Sequence, residues 1–501
     1  MSYYIGIDLG TSSVKTILMD SGGKIIASDA EDYQFDTPIN GFAEQNPEVW
    51  WSAFCKTIQK VLIQFGKKAD LVKGVSFSGQ MHGLVALDSN KKVIRPSILH
   101  CDARSYEQVL EINKTFNREE ILMYFMNPIY TGFLIPSLLW LKEKEPENYA
   151  RIKYTFLPKD YIKYRLTGEI NCDYSDASAT LGFDIENSVW SKEILERLGI
   201  DKTFFPNCNA SIDCIGSVTK EAAEMTGLMI GTPVMCGGAD QVMQSIGNGV
   251  IEPGRGTVNI GTSGQVCVQS EKALKNPDLN TNTFCGYDKN RWYTMGAIMN
   301  AGLSFKWFNQ LIGTVDYKDL DKDIETVKAG SGGIIFLPYL NGERTPHLNP
   351  NISGVFMGVN LNTKKPQMAR SVMEGVTYAL CQSMEIITGL GIDVKEMVAS
   401  GGGARSKTWL QMQSDIFGIP LKTALVQEQA GYGAAIVAAT GAGEFVNIEE
   451  ACRNTVKYHN YIYEPNCEAH KIYQEYFDIY KKTYVKIKEV LQDVTELGRR
   501  E

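Results

Sequence analysis

Eleven cysteines without one C-x-x-C pair, and only five histidines, give this 501-residue chain neither a disulfide framework nor a zinc-type ligand set. Reduced thiols suit the cytoplasm, which is the expected location. The G-x-x-x-x-G-K-[ST] phosphate loop is absent, so this is no P-loop protein. No apolar run is long enough to span a bilayer. The opening MSYYIGIDLG carries Asp8 inside its apolar run and has no basic segment before it, the pattern of a strand and not of a signal peptide. Positive charge is not in excess either: 50 Lys and Arg against 58 Asp and Glu leave a formal charge of -8. That balance argues against a general binder of nucleic acid or anionic membrane and points to small ligands. The remaining composition, 44% hydrophobic and 22% charged, is that of an ordinary globular protein.

What is present is a duplication. IGIDLGTSSVKTILMD (residues 5–20) and VNIGTSGQVCVQS (258–270) are each a β-run broken by a Gly-Thr-Ser turn. Exposed backbone N–H groups and small hydroxyls in such turns approach phosphate oxygens closely, so one copy in each half points to a nucleotide held between two similar domains. The chain is also too long for one core, since single cores stop growing at roughly 250–300 residues. The Gly- and Pro-rich segment GNGVIEPGRG (247–256) is the boundary candidate, giving expected domains 1–250 and 251–501. Alternating strands and helices predict a mixed α/β fold with covered sheets. The sequence predicts an opening meander over 3–28 and a helix from Asn46 and Pro47 to the stop at Gly66. Further on it predicts a helix over 158–168, a strand, GGAD turn and helix over 231–247, and a long helix over 364–388.

Individual motifs remain ambiguous. In DLGTSS, Gly10 permits close approach, Thr11, Ser12 and Ser13 supply donors, and Asp8 is a hard oxygen ligand for magnesium; a capped hairpin turn explains the same residues. SGGGARSK (400–407) leaves room for a ring or ribose against the backbone, or is a flexible strand-to-helix turn. The GYG at 431–433 is too weak for a dinucleotide fingerprint. Asp240, in GGADQ, is either a helix N-cap or a general base meeting a hydroxyl. Met81 and His82, in SGQMHG, are packing and hydrogen-bonding residues or pocket residues. Asp102 and Arg104, in HCDARS, face a polyhydroxy ligand or form a surface ion pair. Glu343 and Arg344, in NGERTP, read most simply as a structural pair.

Taken in order, DLGTSSVK, GFAEQNPEVWW, SGQMHG, LPKDYIKYRLTGE, GGADQ, IGTSG, LPYLNGERTPH and SGGGARS resemble the FGGY carbohydrate kinase family over some 400 residues. The resemblance implies two actin-like, ribonuclease-H-type domains facing a catalytic cleft, with ATP and Mg2+ as requirements. It implies Asp240 as the base that deprotonates the sugar's terminal hydroxyl, and Asp8 as the carboxylate beside magnesium and phosphates. Met81 and His82 would line the ketose pocket, with Asp102 and Arg104 in the neighbouring turn. Gly10, Thr11, Ser12 and Ser13 would form the first phosphate loop and Gly261, Thr262 and Ser263 the second, while Gly402, Gly403 and Ala404 fall in the adenosine site. Lys15 fits the pattern, with a role inseparable from hairpin packing at this level.

Within that resemblance the QMHG turn implies D-xylulose as acceptor, with another ketopentose, a polyol or gluconate as alternatives. Two departures bear on that choice: His100 stands where the family most often has Trp, and Gly286 where a His is common. Homodimers are common in the family. A non-catalytic sugar or nucleotide sensor on the same fold is the reading from another class, but it would need neither a carboxylate at 240 nor the QMHG turn.

Overall fold

The computed structural model describes residues 2–499. Two sheets carry the fold, and each is built around the same five-strand arrangement. In the first, β1 (Tyr3–Leu9), β2 (Ser13–Asp20) and β3 (Ile25–Asp32) form an antiparallel meander, and β4 (Val72–Gly79) lies parallel to β1. β5 (Cys214–Ser217) and β6 (Pro233–Met235) complete that edge, giving the order β5-β6-β4-β1-β2-β3. Where the sequence predicts a simple GGAD turn, Gly238–Ala239 instead add a short strand, β7, parallel to the end of β4.

The second sheet repeats the plan. β8 (Arg255–Ile260) and β9 (Gly264–Ser270) form the hairpin, and β10 (Asn282–Cys285) pairs with β11 (Trp292–Ile298). β12 (Glu396–Gly401) and β13 (Leu421–Thr423) run parallel on the other side, in the order β10-β11-β9-β8-β12-β13. Ribonuclease-H-type duplication is thus visible in the strand order itself.

Local chemistry explains the helices. α1 (Pro47–Phe65) starts where the Asn46 side chain accepts from the Glu48 amide and stops at Gly66, which has a φ of 62°. Its buried stripe, Trp50, Phe54, Ile58, Val61 and Phe65, recurs at helical spacing and packs on β2 and β3. α2 (Pro158–Thr167) begins with proline and ends at Gly168, and α3 (Tyr174–Ser178) is capped by Asp173. The charged C-terminal helix (Cys467–Gly498) buries Tyr473, Phe477, Tyr480 and Tyr484 against the second core.

A cut near residue 250 separates the two sheets but not the two cores. The β10–β11 hairpin of the second half is hydrogen-bonded to the first half: Asn127 accepts from the Thr283 amide at 2.8 Å and Ser178 Oγ from the Cys285 amide at 3.0 Å. Trp292 Nε1 donates to Ile185 O at 2.8 Å. Phe284, Trp292 and Tyr293 accordingly share a core with Leu134, Leu138 and Ile194.

The second bond between halves is a helix pair, α4 (Asp240–Gly247) against the apolar helix spanning Gln429–Gly441. The GYG at 431–433 belongs to this contact. A Cβ on Gly433 would lie 1.9 Å from Met243 O, one on Gly247 2.0 Å from Gln429 O, and one on Gly6 2.0 Å from Gly431 O. The glycines are there because backbone meets backbone. Gly433→Ala is expected to lower stability by about 1–3 kcal/mol through overpacking, read by urea unfolding. Gly389→Ala, where a Cβ meets nothing within 4 Å, should not.

Candidate active site

The site begins where β1, β4 and β7 end together. Register sets Asp8 beside Ser78 and Ser78 beside Gly238, so the residues that follow, Ala239 and Asp240, reach the same edge. Ser78 Oγ donates to Asp8 Oδ1 at 2.8 Å. Asp240 is the first residue of α4, and Ala239 occupies the cap without any side-chain bond, so Asp240 is not the N-cap. Its Oδ1 accepts from the Gln241 amide at 2.7 Å. Burial, and then the nearby charge of Asp8, push Asp240 up to about 7. Burial also raises Asp8, against the Ser78 hydrogen bond and the charge of Lys15. Lys15 is the cross-strand partner of Asp8, and its ammonium is 3.5 Å from Glu428 in the second half. Two half-buried carboxylates therefore share a corner with one half-exposed cation.

Both Gly-Thr-Ser turns close on their own backbone. Gly10 N donates to Ser13 O at 2.9 Å, and Gly261 N to Ser263 O at 3.0 Å. Their carbonyls are held from behind. Tyr33 donates through its hydroxyl to Gly10 O at 2.7 Å and through its amide to Ser12 O at 2.9 Å. Thr262 O takes the amides of Ala301 and Leu303, at the start of α5 (Gly302–Leu311). Among the described residues the amides of Thr11, Ser12, Thr262 and Ser263 have no protein acceptor, the arrangement an anion needs.

Beside the second turn lies a cavity of about 570 Å³ lined by Gly261, Thr262, Gly402 and Gly403 and walled by Phe305, Tyr317 and Trp409. The Phe305 ring sits 5.5 Å from Trp409 and 5.9 Å from Tyr317. A flat ring fits such a wall.

The third part of the site is the SGQMHG turn. His82 holds a φ of 73°, donates through Nδ1 to Ala179 O at 2.7 Å and stacks 3.9 Å from Phe133. Burial, with the charges of His100 and Arg344, depresses it to about 3, so the ring is neutral and Nε2 is left as an acceptor. Met81 is 7% exposed and belongs to the core.

Comparison with known proteins agrees with this geometry. The N-terminal domain of the FGGY family of carbohydrate kinases matches residues 3–247, and the C-terminal domain of that family matches 256–442. The chain belongs to the FGGY family of carbohydrate kinases. The xylulose kinase of Staphylococcus xylosus is 37% identical, covering 97% of this chain and 100% of the relative. A ligand-bound xylulose kinase structure from Lactobacillus acidophilus superposes with a TM-score of 0.93 at 27% identity, over 99% of this chain and 100% of that one. A gluconate kinase structure from the same organism gives 0.93 at 27% identity, over 98% and 99%. The family match and the near full-length relatives give the reaction class, phosphoryl transfer to an alcohol, and leave the sugar to side chains.

Several side chains of this FGGY kinase lie elsewhere than the sequence suggests. Asp102 and Arg104 do not form a surface pair: both side chains are fully buried and paired at 2.8 Å. Asp102 also takes the Ala43 amide, and Arg104 reaches Glu44 at 2.6 Å, so their polar atoms are already engaged. Ala404 packs against the second core and does not line the cavity, where Arg405, Ser406 and Asp321 do. Glu343 and Arg344 are not a side-chain pair. Glu343 accepts the amides of Met299 and Arg344 at 2.7 Å, and the Arg344 charge acts on His82, His100 and Tyr130 across the halves. Gly286 closes the β10–β11 turn, donating to Arg291 O at 2.7 Å. Among the described residues no helix is long and apolar enough to cross a membrane.

Proposed function

We propose that this kinase transfers the γ-phosphoryl group of MgATP to the terminal hydroxyl of D-xylulose, giving D-xylulose 5-phosphate and ADP. The Asp8–Asp240 pair carries the reading, and relatives named xylulose kinases over their full length favour the sugar. Asp240 orients the hydroxyl and takes its proton as the oxygen attacks in line. The free amides of the two Gly-Thr-Ser turns, with Lys15, hold the phosphate chain, and the Gly402–Gly403 cavity takes the adenosine. Met81 and His82 face the ketose. Asp8, a hard oxygen donor in a corner short of positive charge, fits Mg2+, which would neutralise phosphate charge when bound. Closure of domains 1–250 and 251–501 over the cleft excludes the water that competes for the phosphoryl group. A cytoplasmic homodimer is the setting proposed for it.

A base must be ionised to work, so kcat/KM for the sugar should fall about tenfold per pH unit on the acid side. The midpoint is expected near about 7, to which burial and Asp8 push Asp240 in the free protein, and a flat profile from about pH 5.5 to 8.5 would overturn that midpoint.

The function itself is tested by ADP release from MgATP with D-xylulose, D-ribulose, L-ribulose, glycerol, gluconate and no sugar. Preference for D-xylulose supports the proposal. Preference for another sugar overturns the substrate, and nucleotide binding without any sugar-dependent turnover favours a sensor.

A further inference from the structure

We infer that His100 reads a hydroxyl of the sugar and so helps set which ketose this kinase phosphorylates, an inference that rests on the ketose reading above. The buried Asp102–Arg104 pair is the first support. Asp102 N donates to Leu99 O at 3.0 Å and Ala103 N to Gly41 O at 2.7 Å, while the Arg104 guanidinium lies 3.9 Å from the Phe42 ring and 4.8 Å from Trp140. The pair clamps the turn from behind. From the other side Gly132, at a φ of 76°, presses so close that a Cβ there would lie 2.0 Å from His100 O. The residue held forward by this double grip is His100.

Its ring is the second support. Nδ1 is buried without a hydrogen-bond partner among the described residues. Unpaired polar atoms in a protein interior are costly and mark groups that await a partner. Leu84 and Ile98 exchange backbone hydrogen bonds at 2.8 and 3.1 Å, and Gly132, pressed against His100 O, directly precedes the Phe133 ring that packs on His82, which places His100 beside the QMHG turn. Either nitrogen of a neutral imidazole can donate to or accept from a hydroxyl according to tautomer, whereas the indole common at this position in the family can only donate. The reacting hydroxyl belongs to Asp240. The remaining hydroxyls are those that distinguish one ketopentose from its epimers.

The test is steady-state kinetics of His100→Phe and His100→Gln with D-xylulose and its C3 epimer D-ribulose at saturating MgATP. Phe keeps the ring and removes both nitrogens. It should raise the KM for D-xylulose about five- to tenfold, the worth of one neutral hydrogen bond, and leave kcat and the KM for ATP within about twofold. The D-xylulose to D-ribulose ratio of kcat/KM should shrink by a similar factor, and Gln should recover part of both changes. A Phe variant with the wild-type KM and wild-type ratio overturns the inference. Wild-type protein that ignores D-xylulose but uses another sugar overturns only the substrate reading, and the same KM comparison on that sugar then decides His100.

Discussion

Asp240→Asn should cut sugar-dependent ADP release by about 10²–10⁴-fold, keep nucleotide binding, and raise the melting temperature of the ligand-free protein. The first effect follows from the lost base, because an amide cannot accept the hydroxyl proton. The second follows from placement: the cavity beside Gly402 and Gly403 belongs to the other half of the molecule. The third comes from linkage. Burial pushes Asp240 up to about 7 in the folded protein from an ordinary carboxylate value of 3.8, so the fold binds this proton more tightly than the unfolded chain does. Its contribution to stability is therefore complete at low pH and is lost as pH rises through about 7, above which an ionised carboxylate remains buried beside Asp8. The gap in melting temperature between the variant and the wild type should widen from about pH 5 to about pH 8. Lost activity together with a lower melting temperature would mean damage to the fold instead of removal of a base, and near-full activity would dismiss Asp240 from the chemistry.

The parts legible in the sequence are those whose cause is local. Asn46, Pro47 and Gly66 delimit α1 through bonds within a few residues, and each Gly-Thr-Ser turn closes through its own backbone. The duplication was readable because both copies need the same turn chemistry. What escaped the sequence is set by partners far along the chain. Phe305, Tyr317 and Trp409 look like ordinary helix residues until three segments bring them to one cavity. Asp102 and Arg104 have the composition of a surface turn, and only the arrival of Phe42, Glu44 and Trp140 makes them a buried clamp. The same holds for GYG at 431–433. Its glycines answer to Met243 and Ile17, residues that no local pattern connects to them.

Lys159→Met is expected to cost about 3–5 kcal/mol of stability, because it leaves buried carboxylates without their cation. The Lys159 ammonium lies 2.8 Å from Asp160 and 2.6 Å from Asp176 and also pairs with Asp173, while Lys163 reaches Asp160 at 2.8 Å. The carboxylates and thiol of Asp160, Asp173 and Cys172 cluster closely enough for a metal, but the lysine already fills that electrostatic role. Burial, with Asp173 and Asp160 beside it, pushes Asp176 up, and Lys159 opposes that shift; Lys159 and Lys163 are the two ammoniums that balance these carboxylates. Removing one ammonium breaks that balance.

The damage should reach the site by a definite route. Asp173 caps α3 and takes the Ser175 hydroxyl, which in turn accepts the Ala239 amide at 2.9 Å, one residue before Asp240. Ala179, just past the same helix, holds His82. A loosened Asp173 therefore shifts the base and the sugar turn together and leaves the nucleotide cavity alone. Urea unfolding should show the lost stability, and kinetics on protein still folded should show a lower kcat and a higher sugar KM with unchanged ADP affinity. Equal losses in sugar and ADP binding would instead mean that the cluster supports the whole molecule and has no directed hold on the catalytic corner.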